Sequence, residues 1–290
     1  MFTLPVMYSG IKHLTVSATI ASPSFPVLVQ YPTLLAPQGA QVGPYQFEAT
    51  HEAAIAEGRF PICLISHGGG GSHLLYRTIA THLARNGYIV ASLEHPGDNR
   101  NDRSLRNTDL AAERRPGQVS SALDAVLTNP FFQASTDASR ICAIGHSMGG
   151  YTALALLGGQ PWSRTGVPLK VKSDQRFTTA VLLAPATDWF LAPGALAAVS
   201  APMLVMTGEH DEFTPTAKIA RALAGLPTST PFVLHEVQDA GHYAFLSPFP
   251  PTMRSPDFPP ALDPVGFDRD AFHLRLPNQI LAFLANALPR

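Results

Sequence analysis

The chain has 290 residues, of which 46% are hydrophobic and 14% charged, and its formal net charge is -1. This length and composition predict a globular protein that buries a substantial core in a single domain over residues 1–290. A net charge so close to zero gives no electrostatic reason to expect a nucleic acid or an anionic membrane as partner. We therefore predict neither nucleic-acid binding nor membrane binding.

The start of the chain and its longest apolar runs bear on location. Residues 1–5 are not a basic segment leading into an apolar one, and no apolar stretch approaches the ~18 residues that a membrane-spanning helix needs. We therefore expect no secretion signal and no membrane span, and a cytoplasmic location. Cys63 and Cys142 both lie in apolar runs, which favours free buried thiols over a disulfide.

The first sixty residues have the pattern of an antiparallel start. Residues 12–20 alternate apolar and polar side chains, and residues 25–31 form a second strand-like run after a Ser/Pro break. These two segments are predicted to pair as an edge meander. A short helix is predicted within residues 45–58.

From residue 59 onward, apolar runs alternate with helical segments. A buried strand is predicted at residues 60–65, and further strands at 88–93, in the run before Ser147, and at 179–184, 202–207 and 232–237. Helices are predicted after a capping Ser72, around 119–127, at 152–157, 215–224 and 270–287. This order predicts an α/β protein with a mostly parallel sheet of about eight strands, an antiparallel start and helices on both faces. Segments without periodicity, near residues 98–115, 158–178 and 246–266, are predicted to form a cap or pocket walls.

The most informative motif is the turn at residues 145–149, Gly-His-Ser-Met-Gly, between an apolar run and an Ala/Leu-rich helical segment. A serine at the tip of such a strand-to-helix turn takes strained backbone angles, and glycines on either side leave room for the neighbouring backbone. This G-x-S-x-G pattern makes Ser147 a candidate nucleophile. The alternative is a glycine-rich turn that only packs.

An acid and a histidine follow Ser147 in the chain order that this motif requires. Asp211 and His242 each come directly after a predicted strand, at the edge of the sheet where Ser147 lies. Each residue also has a possible structural role. Asp211 would then be a carboxylate at a helix N-terminus, and His242 a structural histidine. The order and placement of all three together favour a catalytic triad.

An oxyanion hole needs two backbone N–H groups, one of them from the residue after the nucleophile. Met148 is the candidate for the first donor. The glycine run at residues 68–71 follows the strand at 60–65, and Gly69 is the candidate for the second. Taken alone, the glycine run is as often a plain turn.

The remaining site predictions concern the pocket and metals. Aromatic side chains on the loops at the same sheet edge are candidates to contact the substrate, although each also has an interpretation as core: Trp162, Trp189, Phe190, Tyr243 and Phe245. The histidines and acids lack the spacing of metal ligands, so no metal is predicted.

Five segments together resemble bacterial proteins of the α/β-hydrolase superfamily, in the branch of dienelactone hydrolases and platelet-activating-factor acetylhydrolases. They are residues 66–71 (SHGGGG), 87–91 (GYIVA), 94–99 (EHPGDN), 145–150 (GHSMGG) and 264–269 (PVGFDR). The resemblance extends over residues 59–285 and implies an α/β-hydrolase fold and hydrolysis of carboxylic esters without a cofactor. Dienelactone hydrolases use a cysteine where this chain has Ser147, so their lactone specificity is not carried over.

The resemblance also adds alternatives. Acetylhydrolases of the platelet-activating-factor type place the acid after an earlier strand, where this chain has Asp188, so Asp188 is the alternative to Asp211. The elbow is similar to that of bacterial cutinases and polyester hydrolases.

The predicted function is a serine carboxylic-ester hydrolase that acts through an acyl-enzyme on a small to medium apolar ester, as a monomer or small homo-oligomer. The alternatives are a cutinase-like polyester hydrolase, a lipase, or a non-catalytic ligand-binding protein of the same fold.

Overall fold

The structure is a computed structural model that describes residues 6–19 and 22–288. Residue 20, at the end of the first predicted strand, and residues 1–5, on which the expectation of no secretion signal rests, lie outside the described residues.

One large sheet organises this part of the chain. Its nine strands lie in the order β11-β10-β9-β8-β6-β7-β2-β1-β5, and β3 and β4 form a separate two-stranded sheet. The strands are β1 (Tyr8–Val16), β2 (Phe25–Thr33), β3 (Ala40–Val42), β4 (Tyr45–Phe47), β5 (Ala49–His51), β6 (Phe60–Ser66), β7 (Ile89–Leu93), β8 (Thr136–His146), β9 (Phe177–Leu183), β10 (Met203–Gly208) and β11 (Phe232–Val237).

The strand directions agree with the sequence prediction. β1 pairs antiparallel with β2, and β2 pairs antiparallel with β7. The strands from β7 through β6, β8, β9 and β10 to β11 are parallel to their neighbours. Every residue of β6 is buried, as expected for a strand covered on both faces. The predicted fold class is confirmed.

Six α-helices are present in the described residues: α1 (Arg77–Arg85), α2 (Asp109–Thr128), α3 (Met148–Leu156), α4 (Thr216–Leu223), α5 (Arg269–His273) and α6 (Leu276–Ala287). Apolar side chains of α2, α3 and α4 belong to the core on one face of the sheet. Those of α1, α5 and α6 belong to the core on the other face. The two faces are therefore covered as the strand–helix alternation predicts.

Three local predictions are wrong. The segment predicted as a short helix over residues 45–58 contains β4 and β5 instead. Ser72 does not cap α1, whose N-cap is Tyr76. The polar segment predicted to extend to residue 115 ends earlier, because the side chain of Thr108 accepts a hydrogen bond from the Ala111 N–H and starts α2 at Asp109.

The predicted final helix over residues 270–287 is two helices. α5 ends at His273, and α6 begins at Leu276 with Pro277 in its first turn. Proline has no N–H to donate to the preceding turn, and its ring clashes with a helical residue before it. Pro277 therefore starts a new helix, although the apolar spacing runs through the break.

The carboxyl ends of the parallel strands share one edge of the sheet. The segments after β6, β8, β10 and β11 carry, in turn, Gly69, Ser147, Asp211 and His242. The fold thus gathers the candidate functional residues at one place from distant parts of the chain.

Candidate active site

Ser147 lies at the sharp turn between β8 and α3 with a left-handed backbone, φ 54° and ψ -116°. The turn requires glycine at two positions. A methyl group on Gly145 would lie 2.0 Å from the carbonyl oxygen of Gly149, and one on Gly149 would lie 1.8 Å from that of Ser66. Backbone hydrogen bonds hold the strained residue, because the Ser147 N–H donates to Leu183 O at 2.9 Å.

Asp211 and His242 form a buried pair. The His242 Nδ1–H donates to Asp211 Oδ2 at 2.8 Å, with the two residues 8% and 4% exposed. The Asp211 carboxylate also accepts hydrogen bonds from the backbone N–H groups of Phe213 and Thr214 and from the Thr214 hydroxyl. This arrangement orients the His242 ring and places its proton on Nδ1. Nε2 is therefore unprotonated and can accept a proton.

The charge state of Asp211 follows from its partners. Burial raises the pKa of the carboxyl, but the hydrogen bond and charge of His242, together with the hydrogen bonds of Thr214, outweigh burial and hold the pKa below its ordinary value. Asp211 is therefore ionised at neutral pH and stabilises a positive charge on His242.

Ser147 and His242 are not hydrogen-bonded to one another. Among the described residues, the hydrogen bonds of His242 join it to Asp211, Thr214 and His146. Such contacts are often loose without substrate and tighten only when it is bound.

The glycine loop after β6 leaves one N–H group without a protein acceptor. The Gly68 N–H donates to Tyr76 Oη, the Gly70 N–H to Asp98 and the Gly71 N–H to Gly68 O. In the described part of the chain, the Gly69 N–H donates to none. It lies beside Met148, since a methyl group on Gly69 would be 3.5 Å from Met148 Cγ.

A buried ion pair supports this loop from below. Arg115 Nε donates to Asp98 Oδ2 at 3.0 Å, and Arg115 Nη1 donates to His67 O at 2.9 Å. The other oxygen of Asp98 accepts the Gly70 N–H at 2.9 Å. Arg115 and Asp98 therefore hold the backbone on both sides of Gly69, and this ion pair was not predicted from the sequence.

Two buried histidines complete the support as neutral rings. The backbone N–H of His95 donates to His67 Nε2 at 3.0 Å, so this ring nitrogen is unprotonated. The ring proton of His67 is therefore on Nδ1, which donates to Gly68 O at 2.7 Å. Burial, and after it the charge of Arg115, lowers the pKa of both rings well below the ordinary value.

Ser147, Met148 and Gly69 line a cavity of about 240 Å³. Its other lining residues come from the predicted pocket segments and from the loops after β9 and β10: Asp98, Asn107, Thr108, Ala111, Trp162, Ser163, Arg164, Ala186, Asp188, Trp189, Phe213 and Thr214. Segments 98–115 and 158–178 thus both reach the cavity. Residues 246–266 do not line it.

The predicted pocket aromatics separate into two groups. Trp162 and Trp189 line the cavity. Phe190 and Phe245 do not, because each is buried in one of the two cores. Tyr243 packs edge-on against His242 with ring centroids 5.3 Å apart but lies outside the cavity lining.

Phe213 is a lining residue that the sequence analysis missed. It is 64% exposed, and its ring centroid lies 5.0 Å from that of His242. Its position two residues after Asp211, on a loop at the same sheet edge, is the sequence signal that would have identified it.

One surface group has the composition of a cation site. Ligand atoms of Glu209, His210 and Asp239 lie within 4.8 Å of one another, and all three residues are exposed. Such groups are common on protein surfaces without an ion, and no step of the chemistry below uses them.

Two further buried histidines predict acid sensitivity of the fold. Burial lowers the pKa of His273 to about 4 and, together with the charge of His242, lowers that of His146 to about 3. Unfolded histidine has a pKa near 6.5, so between about pH 6.5 and 4 the unfolded chain binds protons that the folded one does not, and stability falls as the pH falls.

We expect the free energy of unfolding to be highest above pH 6.5 and to decrease toward pH 4 by roughly 3 kcal/mol for each of the two rings, since one pKa unit corresponds to ~1.4 kcal/mol. Urea unfolding from pH 4 to 8 measures this. His273→Phe should flatten the dependence, whereas a control change at the exposed His235 should not. An unchanged slope in the His273 variant would contradict the assignment.

The described residues contain no helix of the length and apolarity required to cross a bilayer.

Fold and site together define the class. The nine-stranded sheet, the serine at its strand-to-helix elbow and the buried Asp–His pair are those of the α/β-hydrolase fold. A family model described as "alpha/beta hydrolase fold" matches residues 61–193.

The relatives are more specific. The chain is 24% identical over 196 residues to a bis(hydroxyethyl) terephthalate hydrolase of Streptomyces coelicolor, covering 67% of this chain and 54% of that protein. It is 25% identical to cutinase est1 of Thermobifida alba over 62% of this chain and 52% of the cutinase, and 26% identical to cutinase 2 of Thermobifida cellulosilytica over 62% and 59%. The matches thus span about half of the length of these relatives.

A solved structure is similar over almost the whole chain. A ferulic acid esterase from Streptomyces cinnamoneus superimposes with a TM-score of 0.74, covering 99% of this chain and 91% of the esterase at 20% sequence identity. At this identity the similarity establishes the fold.

Proposed function

We propose that this protein is a serine carboxylic-ester hydrolase that acts through an acyl-enzyme. The observation that carries the proposal is the strained Ser147 in a cavity that it shares with the free amide of Gly69, beside a buried His242–Asp211 pair. Strain of this kind is retained where surrounding structure enforces it, and it exposes the serine hydroxyl at the edge of the sheet. The names of the similar proteins support the same reaction class.

The residues divide the reaction into two acyl transfers. His242 Nε2 takes the proton of Ser147 Oγ as this oxygen attacks the ester carbonyl carbon. The Gly69 and Met148 N–H groups stabilise the negative oxygen. The bond to the alcohol breaks as His242 returns the proton to the departing oxygen, and the acyl group stays on Ser147 Oγ. Water, deprotonated by His242, then attacks the acyl carbon. The bond to Ser147 Oγ breaks, His242 returns the proton to this oxygen, and the acid leaves. Asp211 orients His242 and stabilises its charged form.

The cavity supports a small to medium apolar ester as substrate. A volume of about 240 Å³ with Trp162, Trp189 and Met148 in its lining suits one acyl or aromatic group. A cutinase-like activity on polyesters is the second candidate, favoured by the exposed Phe213 beside His242 and by the cutinases among the relatives. Lipase activity on long acyl chains is a further alternative.

The finer sequence predictions belong to the same proposal. They are a single domain over residues 1–290, a monomer or small homo-oligomer, action in the cytoplasm, no metal or cofactor, and a place in the dienelactone hydrolase and platelet-activating-factor acetylhydrolase branch.

A fluorophosphonate probe tests the proposal directly. We expect covalent labelling of Ser147 in the folded protein, located by peptide mass spectrometry, and loss of labelling in urea. A panel of p-nitrophenyl esters from acetate to palmitate, with a terephthalate ester and a polyester film beside it, then separates the substrate candidates. A folded protein with no labelled Ser147 would indicate the non-catalytic binding protein instead.

A further inference from the structure

His146, the residue before Ser147, is only 3% exposed and is bonded at both ring nitrogens. Its Nε2 is 3.0 Å from the backbone carbonyl oxygen of His242, and its Nδ1 is 3.1 Å from Tyr76 Oη. The same Tyr76 oxygen accepts the Gly68 N–H at 3.3 Å. The mechanism above gives His146 no chemical task, yet its contacts extend to both functional loops.

The partners fix the protonation of this ring. A backbone carbonyl can only accept, so His146 Nε2 carries a hydrogen and donates it to His242 O. The Gly68 N–H can only donate, so Tyr76 Oη accepts there and gives its own hydrogen to His146 Nδ1. His146 is therefore neutral, in one tautomer. The chain of donors runs from Gly68 through Tyr76 and His146 to the backbone of His242.

A neutral ring is required by the neighbour. The His146 and His242 ring centroids are 4.9 Å apart. A positive charge on His146 would oppose the charge that His242 acquires when it takes the Ser147 proton. Burial first, and the charge of His242 second, lowers the pKa of His146 to about 3, which agrees with this arrangement.

We propose that His146 is a positioning residue that holds the backbone of His242 at a fixed distance from Ser147 and, through Tyr76, fixes the glycine loop that carries Gly69. The base is then held at two points, by Asp211 at its ring and by His146 at its carbonyl. His146 is joined by a peptide bond to Ser147. Its side chain therefore fixes the position of the base, His242, relative to the nucleophile, Ser147. The inference rests on the proposed esterase function.

The test compares two variants with wild type on a p-nitrophenyl ester. His146→Phe keeps an aromatic ring but removes both hydrogen bonds, and we expect kcat to fall by about 10²-fold, since misplacement by ~1 Å costs this much, with KM within about threefold. His146→Gln supplies one donor and one acceptor at a similar reach, and we expect it to recover kcat to within about tenfold of wild type. Rates are counted per serine titrated to completion with a fluorophosphonate.

His273 provides a matched control. It is also buried, with Nδ1 2.8 Å from a hydroxyl, that of Thr78, and Nε2 2.9 Å from a carbonyl, that of Ala244, in the same short helical turn as His242. His273→Phe removes equivalent bonds away from Ser147, and we expect a similar loss of Tm with kcat per site within about threefold of wild type.

Tyr76→Phe is an additional variant that keeps the inference testable if His146→Phe does not fold. We expect its kcat to fall about tenfold with KM unchanged. The inference would be overturned if His146→Phe kept wild-type kcat or, where that variant does not fold, if Tyr76→Phe did. Equal losses of kcat in His146→Phe and His273→Phe would also overturn it, and so would a kcat in His146→Gln no higher than that in His146→Phe. Failure of the function itself is distinct: wild type would then hydrolyse no ester, or Ser147→Ala would hydrolyse it equally well.

Discussion

Replacing Ser147 with alanine is expected to lower kcat by on the order of 10⁶-fold, because loss of the nucleophile removes the covalent route altogether. The Gly69 and Met148 amides and the cavity remain, so a residual rate above that in water persists. KM should change little, since the Ser147 hydroxyl supplies little of the binding in a cavity lined by two tryptophans. Progress curves on a p-nitrophenyl ester, with the unlabelled variant checked by mass spectrometry for wild-type contamination, measure the loss.

Glycine at the same position separates chemistry from strain. Alanine keeps a Cβ at φ 54°, whereas glycine adopts this backbone without cost. Ser147→Gly should therefore be as inactive as Ser147→Ala but more stable by ~1 kcal/mol. Ser229→Ala, an exposed serine in the loop before β11, is the control and should leave both activity and stability unchanged. Activity of Ser147→Ala near that of wild type would contradict the role of Ser147.

The buried strands of the parallel half were predictable because they are short apolar runs, most of which end at a change to glycine or polar residues. β11 differs, because four of its six residues are exposed and only its first three are apolar in succession. The candidate site followed from the same pattern, since Ser147, Asp211 and His242 each stand just beyond such a run. The antiparallel start was predictable from alternation at residues 12–20, although β1 spans Tyr8–Val16 and so begins four residues before the predicted segment. Segment 45–58 was not, because three-residue strands such as β4 and β5 are too short to show a period.

The sequence could not provide the direction in which individual side chains point. Trp189 and Phe190 are adjacent in one short 3-10 turn, yet only Trp189 lines the cavity, and Phe190 is buried. Arg115 was predicted to lie in a polar loop, but it lies in α2, where it is buried in contact with Asp98 and the His67 carbonyl oxygen. Such contacts join residues far apart in the chain, and the amino-acid composition does not predict them.

Asp211→Asn is expected to lower kcat by about 10⁴-fold, and Asp188→Asn by less than threefold. Asparagine at 211 preserves shape and still accepts the Phe213 and Thr214 N–H groups at its oxygen. Its NH₂ group, however, replaces the oxygen that accepts the His242 Nδ1–H. The ring must then carry its proton on Nε2, where it can no longer take one from Ser147. Kinetics on purified variants, matched for Tm, measure both effects.

Asp188 lies at the rim of the cavity and, unlike Asp211, is exposed to solvent. Its carboxylate is 61% exposed and lies 3.9 Å from Lys218 Nζ, a separation at which a solvated ion pair contributes little. Asp211, by contrast, is fully enclosed by His242 and the Thr214 turn. Thr214→Val is a useful third variant, because it removes the hydroxyl that donates to Asp211 but retains the carboxylate, and its loss should be far smaller than that of Asp211→Asn. If Asp188→Asn were the inactive variant and Asp211→Asn the active one, the acid would lie after β9 rather than β10, and His242 would have to turn away from Asp211 to reach it.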